Sequence, residues 1–147
     1  MANITVTLEW NGVWEITENN MPPNIPDEQG IYMILCGKHF VDSHKWNTSS
    51  YKLLYVGEAE KVRSRIAEHE KWPTWKRNCR NHLILKIARC NFGTTKRQKV
   101  ECCLVFNTKP ICNDECKDSF PYKDDTVSIT NTGVIPPLKE KYICRSV

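Results

Sequence analysis

The chain has 147 residues, 40% of them hydrophobic and 26% charged, with a formal net charge of +4. That length fits one domain with a real core and is too short for two independent ones. No stretch approaches the roughly 20 apolar residues of a membrane helix, and the alternating start from Met1 to Trp10 is unlike a signal peptide, so the expectation is an intracellular protein, cytoplasmic or associated with nucleoid or nucleus, with no membrane partner.

Taken in order, Ile4-Thr5-Val6-Thr7-Leu8 alternates, Asn11-Gly12 suits the two positive-φ positions of a type I′ turn, and Val13-Trp14-Glu15-Ile16 alternates again. The pattern predicts an N-terminal β-hairpin over residues 1–20, added to the rest of the fold. Met21-Pro22-Pro23-Asn24-Ile25-Pro26 can form neither helix nor central strand and reads as a stiff connector. Gly30 to Gly37 and Tyr51 to Gly57 fit two buried strands, expected to be antiparallel neighbours. Lys38 to Ser50 between them, with His39, His44, Asn47 and Thr48, has the composition of an exposed loop able to touch a ligand.

From Glu58 to Glu70 the period changes to helical, with Ala59, Val62 and Ile66 on one stripe, and Pro73 is expected to end that helix. Leu83 to Cys90 predicts a third strand, and Thr94 or Thr95 caps a second helix running to about Asn107, stopped by Lys109-Pro110. After Asn113 the chain turns acidic, with weak extended segments at Val127 to Thr130 and Val134-Ile135. The layout is α/β.

Eight cysteines without a secretory signal are expected to be thiols, with Cys36 and Cys90 packed as small hydrophobes. Cys112 and Cys116 stand four apart, but no second Cys/His pair completes a tetrahedral zinc site. Charge is unevenly spread: Lys61 to Lys99 holds twelve basic residues against Glu68 and Glu70. That excess points to a nucleic acid, with Lys61, Arg63, Lys76, Arg77 and Arg80 as candidate contacts. Trp72 and Trp75 interleave with the last three, a composition able to stack on bases or to anchor a core.

Arg65 and His69 are i and i+4, on one helix face beside the apolar stripe. A guanidinium there can grip a phosphate bidentately and an imidazole can relay a proton, while the plainer alternative is an exposed pair of Arg65 with Glu68 or Glu70. Glu101 lies within Val100-Glu101-Cys102-Cys103-Leu104-Val105-Phe106, where nearly every neighbour is apolar. Such a carboxylate needs a cation, either an arginine such as Arg65 or a hard divalent metal like Mg²⁺ that takes one or two protein oxygens. Tyr32 and Tyr55 would meet across adjacent strands, and a phenol acting as base there would need Arg65, Lys61 or a metal to lower its pKa.

Taken together these positions resemble the GIY-YIG nuclease family. The likeness rests on Gly30-Ile31-Tyr32, then Tyr55-Val56-Gly57, Arg65 ten residues after the second tyrosine, His69 four later, Glu101 on a later helix and Asn113 twelve beyond it. It covers about residues 26–113 and leaves 1–20 and 114–147 as terminal additions to a single domain. It implies an α+β fold with a small central antiparallel sheet and flanking helices, and a DNA endonuclease that attacks a phosphodiester with water. Tyr32 with Tyr55 would help activate the water, Arg65 would stabilise the pentacovalent phosphate, and His69 would lie near the attacking group. Glu101 would hold one Mg²⁺ or Mn²⁺ ion, and Asn113, with Gly57, would support the site. Departures from the family pattern are Val56 for isoleucine, Glu58 where several relatives carry a basic or amide residue, and the long Lys38 to Ser50 stretch, where specificity could lie.

Two rival readings are a non-cleaving nucleic-acid-binding module of the same fold and a cysteine-rich zinc or redox protein built on Cys112 and Cys116. Cutting duplex or branched DNA on both strands with one site requires a homodimer or two successive nicks.

Overall fold

Strand β1 (Asn3–Ile16) runs for 14 residues as one strand, not as the hairpin that Asn11-Gly12 suggests. Gly12 does have a positive φ of 73°, but it serves a bulge between Asn11 and Trp14, and the strand stays on one partner from Trp10↔Ala88 to Ile16↔Leu83. A tight turn and a bulge both call for a residue in the left-handed region. A neighbouring strand that lies along both halves of β1 decides for the bulge.

The computed structural model describes residues 3–37, 39, 40, 45, 46, 51–135 and 137–145. The chain continues through β2 (Gly30–Gly37), the two-residue strands β3 (His39–Phe40) and β4 (Lys45–Trp46), and β5 (Lys52–Ala59). Then come α1 (Val62–Ala67), α2 (Trp72–Arg77), β6 (His82–Arg89), α3 (Thr94–Thr108), β7 (Thr126–Gly133) and β8 (Lys141–Arg145). Apart from the small β3–β4 ladder, the expected specificity loop from Lys38 to Ser50 lies outside the described residues.

Six strands form one sheet in the order β5-β2-β6-β1-β7-β8. The α+β class expected from the sequence is present, and β2 and β5 are antiparallel neighbours as anticipated. The sheet is larger than a small antiparallel core, however, and its β1–β7 pair is parallel. Residues expected to be terminal additions complete it: β1 sits between β6 and β7, and β8 forms one edge.

β2 is buried along its whole length, and its side chains alternate between two cores. Ile31, Met33 and Leu35 pack with Val100, Leu104 and Val105 of α3, whereas Tyr32 and Ile34 pack with Val62, Ile66, Trp72 and Trp75 of the α1–α2 layer. The helices thus cover both faces of the sheet and bring chemistry to β5 from above and below.

Helical character begins later than the periodicity suggests. Glu58 and Ala59 belong to β5, and α1 starts at Val62, where Asp27 of the connector accepts from Ser64 N–H at 2.9 Å and from its hydroxyl at 2.6 Å. These bonds cap α1 from outside the helix and hold the Asp27 carboxyl below its ordinary range. Pro73 does not end α1. It lies in the first turn of α2, where a missing N–H costs nothing. Trp72 and Trp75 are 1% and 0% exposed, with Trp72 Nε1 donating to Ile66 O at 2.7 Å, so they anchor the core and are not a stacking platform. By contrast α3 spans Thr94 to Thr108, close to expectation, and Lys109 at φ 48° closes it before Pro110.

Four of the cysteines expected to be thiols are paired, Cys36 with Cys79 and Cys102 with Cys116. Cys90 is a buried thiol as anticipated, as are Cys103, Cys112 and Cys144. The pairing of Cys116 removes it from any zinc site with Cys112. Among the described residues no helix is long and apolar enough to cross a membrane.

Candidate active site around the edge strand

β5 lies at one edge of the sheet, and candidate residues from five segments gather around it. Gly57 faces Tyr32 across the β2–β5 pair, and a Cβ built on Gly57 would stand 2.4 Å from both Cζ and the hydroxyl oxygen of Tyr32. Only a residue without a side chain lets the phenol lie there. The Tyr32 and Tyr55 rings are then 6.2 Å apart between centroids, with Tyr32 buried and Tyr55 half-buried.

Burial pushes the Tyr32 hydroxyl well above its ordinary pKa, reinforced by Tyr55, and pushes Tyr55 up to about 12, reinforced by Glu101. Arg65 acts on both in the opposite direction but is outweighed. Arg65 alone does not favour a phenolate, and without a metal both tyrosines are held as neutral hydroxyls.

Asn113 is pinned to the outer edge of β5. Its Oδ1 accepts from Val56 N–H and its Nδ2 donates to Val56 O, each at 2.9 Å, while Cys112 N–H donates to Leu54 O at 2.8 Å. The side-chain amide imitates a neighbouring strand and satisfies both backbone groups beside Tyr55.

Arg65 stands at the end of α1, and its two terminal nitrogens donate to Glu70 at 3.0 and 3.1 Å. Of the partners the sequence left open, Glu70 holds it, not Glu68 or Glu101. His69 follows α1 with its ring fully enclosed, 5.2 Å from the Tyr55 ring and 4.8 Å from that of Trp75. Its Nδ1 accepts from Lys71 N–H at 3.0 Å, which leaves the hydrogen on Nε2, a buried atom without a hydrogen-bond partner among the described residues. Desolvation, helped by Arg65, lowers its pKa to about 4. The imidazole is thus neutral and a donor in this tautomer, rather than a free base.

Glu101 reaches the same region from α3. It makes no hydrogen bond or ion pair with the described residues, and desolvation, with Glu58 and Glu115 adding like charge, raises its pKa to about 8. A carboxylate in that setting binds a proton or a cation. Among the described residues no group of three or more His, Cys, Asp or Glu side chains is placed to hold a metal. A cation here would therefore rely on Glu101, water and substrate oxygens, a donor set that suits Mg²⁺ or Mn²⁺.

Arg97 was not singled out from the sequence, where it is one basic residue in a basic stretch. It is 2% exposed and donates to Glu58 at 2.5 Å, Gln29 at 2.8 Å and Thr94 at 3.3 Å. Four residues before Glu101 on α3, it neutralises Glu58 and fixes that carboxylate directly after Gly57. The only sequence signal was the unusual acid at Glu58.

The expected nucleic-acid contacts are not one patch of free charge. Arg63 donates to Pro23 O at 2.8 Å, and Lys76 pairs with Glu18 at 2.5 Å. Lys61, Arg77 and Arg80 are exposed, and Lys61 lines an open cleft with Glu58, Ser64, Arg65 and Arg97.

Fold and site together define an α+β chain with a mixed six-stranded sheet whose chemistry-bearing residues converge on one edge strand. No protein-family model, curated protein or solved structure matches it.

Proposed function

We propose that the chain is a GIY-YIG-type, metal-dependent endonuclease that hydrolyses DNA phosphodiesters by water attack. The observation that carries this reading is the convergence of Tyr32, Tyr55, Arg65 and Glu101 on β5, with no cation paired to Glu101 among the described residues. The electrostatic coupling of both tyrosines to Arg65 and Glu101 is what such a convergence requires.

In this reading the Arg65 fork binds the two non-bridging oxygens of the scissile phosphate and opposes the charge that grows on them. The neutral hydroxyls of Tyr32 and Tyr55 orient the water and phosphate by hydrogen bonding. His69 packs against Tyr55 and keeps its ring in place. A divalent ion on Glu101 would supply positive charge against the departing 3′ oxygen. Lys61, Arg77 and Arg80 remain available for phosphates further along the strand, and their contribution would appear as a salt-dependent affinity.

The test is incubation of supercoiled plasmid with the protein in Mg²⁺, in Mn²⁺ and in chelator, beside Glu101→Gln and Arg65→Ala. Cutting that needs the metal and is lost in both variants is expected, and unchanged cutting by Glu101→Gln would overturn the assignment. Nicked circles appearing before linear DNA would indicate single-strand events, whereas direct linearisation would indicate a paired enzyme. Binding without cutting would favour the non-cleaving module.

A further inference from the structure

Glu70 makes a contact that an ordinary helical ion pair does not. It lies five residues after Arg65, beyond the end of α1 at Ala67, so the three- or four-residue spacing of helix surface pairs does not bring it there. A turn does. His69 N–H donates to Ile66 O at 3.1 Å, Lys71 N–H donates to His69 Nδ1 at 3.0 Å, and the buried imidazole anchors the turn that folds Glu70 back. The carboxylate then meets the guanidinium fork with one oxygen on each terminal nitrogen, at 3.0 and 3.1 Å.

Two acceptor oxygens on one guanidinium fork is also how a phosphate with two free oxygens is held. The fork's charge acts on both Tyr32 and Tyr55, the hydroxyls that the reading above sets against the scissile phosphate. The pair is accessible to exchange, since the Arg65 and Glu70 side chains are 41% and 68% exposed. We propose that Glu70 is a built-in stand-in for substrate phosphate: it occupies the Arg65 fork in the free protein and is displaced when a phosphodiester enters. Resting on the nuclease reading, this makes Glu70 a specificity-determining residue. A ligand offering a single neutral acceptor does not displace it, whereas an anionic phosphate with two free oxygens does.

The experiment measures binding of a short fluorescein-labelled DNA duplex in chelator at fixed ionic strength, by anisotropy. Wild type, Glu70→Gln, Arg65→Ala and the double variant form a cycle, with Glu68→Gln as a control for loss of a nearby exposed charge. Glu70→Gln is expected to tighten binding by about fivefold, the worth of an exposed bidentate pair, and the gain should vanish in the Arg65→Ala background. Unchanged or weaker binding by Glu70→Gln overturns the proposal, because Glu70 would then be irrelevant to Arg65 or would help to aim it. An equal gain in the Arg65→Ala background, or from Glu68→Gln, also overturns it, since charge alone would explain the effect. Metal-dependent plasmid cutting without coupling between Glu70 and Arg65 removes this inference and leaves the nuclease reading standing. Failure of every variant to bind or cut DNA removes both.

Discussion

The Tyr32 ring lies over Gly57, its partner across the β2–β5 pair, with no room for a methyl group between them. The glycine therefore determines where a phenol of the candidate site can sit. Gly57→Ala must displace Tyr32 or spread the strands, and a loss of about 1–3 kcal/mol is expected from such overpacking. Denaturant melts should detect it, and plasmid cutting should fall further than the stability loss explains. Gly93→Ala, with nothing within 4 Å of the added methyl, should cost less than about 1 kcal/mol and leave cutting near wild type.

Asn113→Ala removes both bonds to Val56 and leaves its N–H and C=O unpaired at the sheet edge. Two orphaned groups at such a position should cost about 2–4 kcal/mol. Amide exchange at Val56 should accelerate in the variant more than at Met33, which faces Val56 from the inner side of β5.

The pair of buried Arg97 and half-buried Glu58 predicts a non-additive cycle. Arg97→Met leaves Glu58 without its cation next to Glu101, a change expected to cost about 3 kcal/mol. Adding Glu58→Gln should recover most of that loss, because the stranded charge is gone. Equal melts for the single and double variants would show that Arg97 acts through packing.

Acid should destabilise the fold through His69. Its folded pKa of about 4 lies below the ordinary 6.5, so the unfolded chain takes up the proton first and stability falls as pH drops through that window. At its lower end the loss amounts to about 3 kcal/mol. Glu101, raised to about 8, contributes the opposite slope between pH 7 and pH 5, so the test is made in a Glu101→Gln background, where His69→Phe should flatten the dependence followed by urea denaturation.

Much of the fold was legible wherever local pattern and final partner agree. The apolar runs became β2, β5 and β6, and α3 ran from Thr94 to Thr108, whereas the pinning of Asn113 to β5 had no signal in local pattern. Gly12 was misread because a hairpin turn and a bulge need the same backbone, and only β6 lying alongside distinguishes them. Cys36 and Cys79 meet across a sequence separation of 43 residues, which spacing alone does not reveal. Arg97 looks like any surface cation until α3 is packed on the sheet. His69 owes its enclosed ring to Trp75 on a separate helix, so its helix face could be read but its burial and tautomer could not.

Trp10 on β1 donates to the buried Asn131 on β7 at 2.9 Å, across 121 residues of chain. β1 has no partner of its own until β6 has been synthesised, and its second side waits for β7, which follows later still. Contacts this distant in sequence give a high contact order, and with it slow folding and a long exposure of unpaired strand edge on the ribosome. The segment 26–113 holds every candidate site residue, yet cut free it would present β6 with an open hydrophobic edge where β1 belongs. Such an excised fragment should aggregate rather than fold.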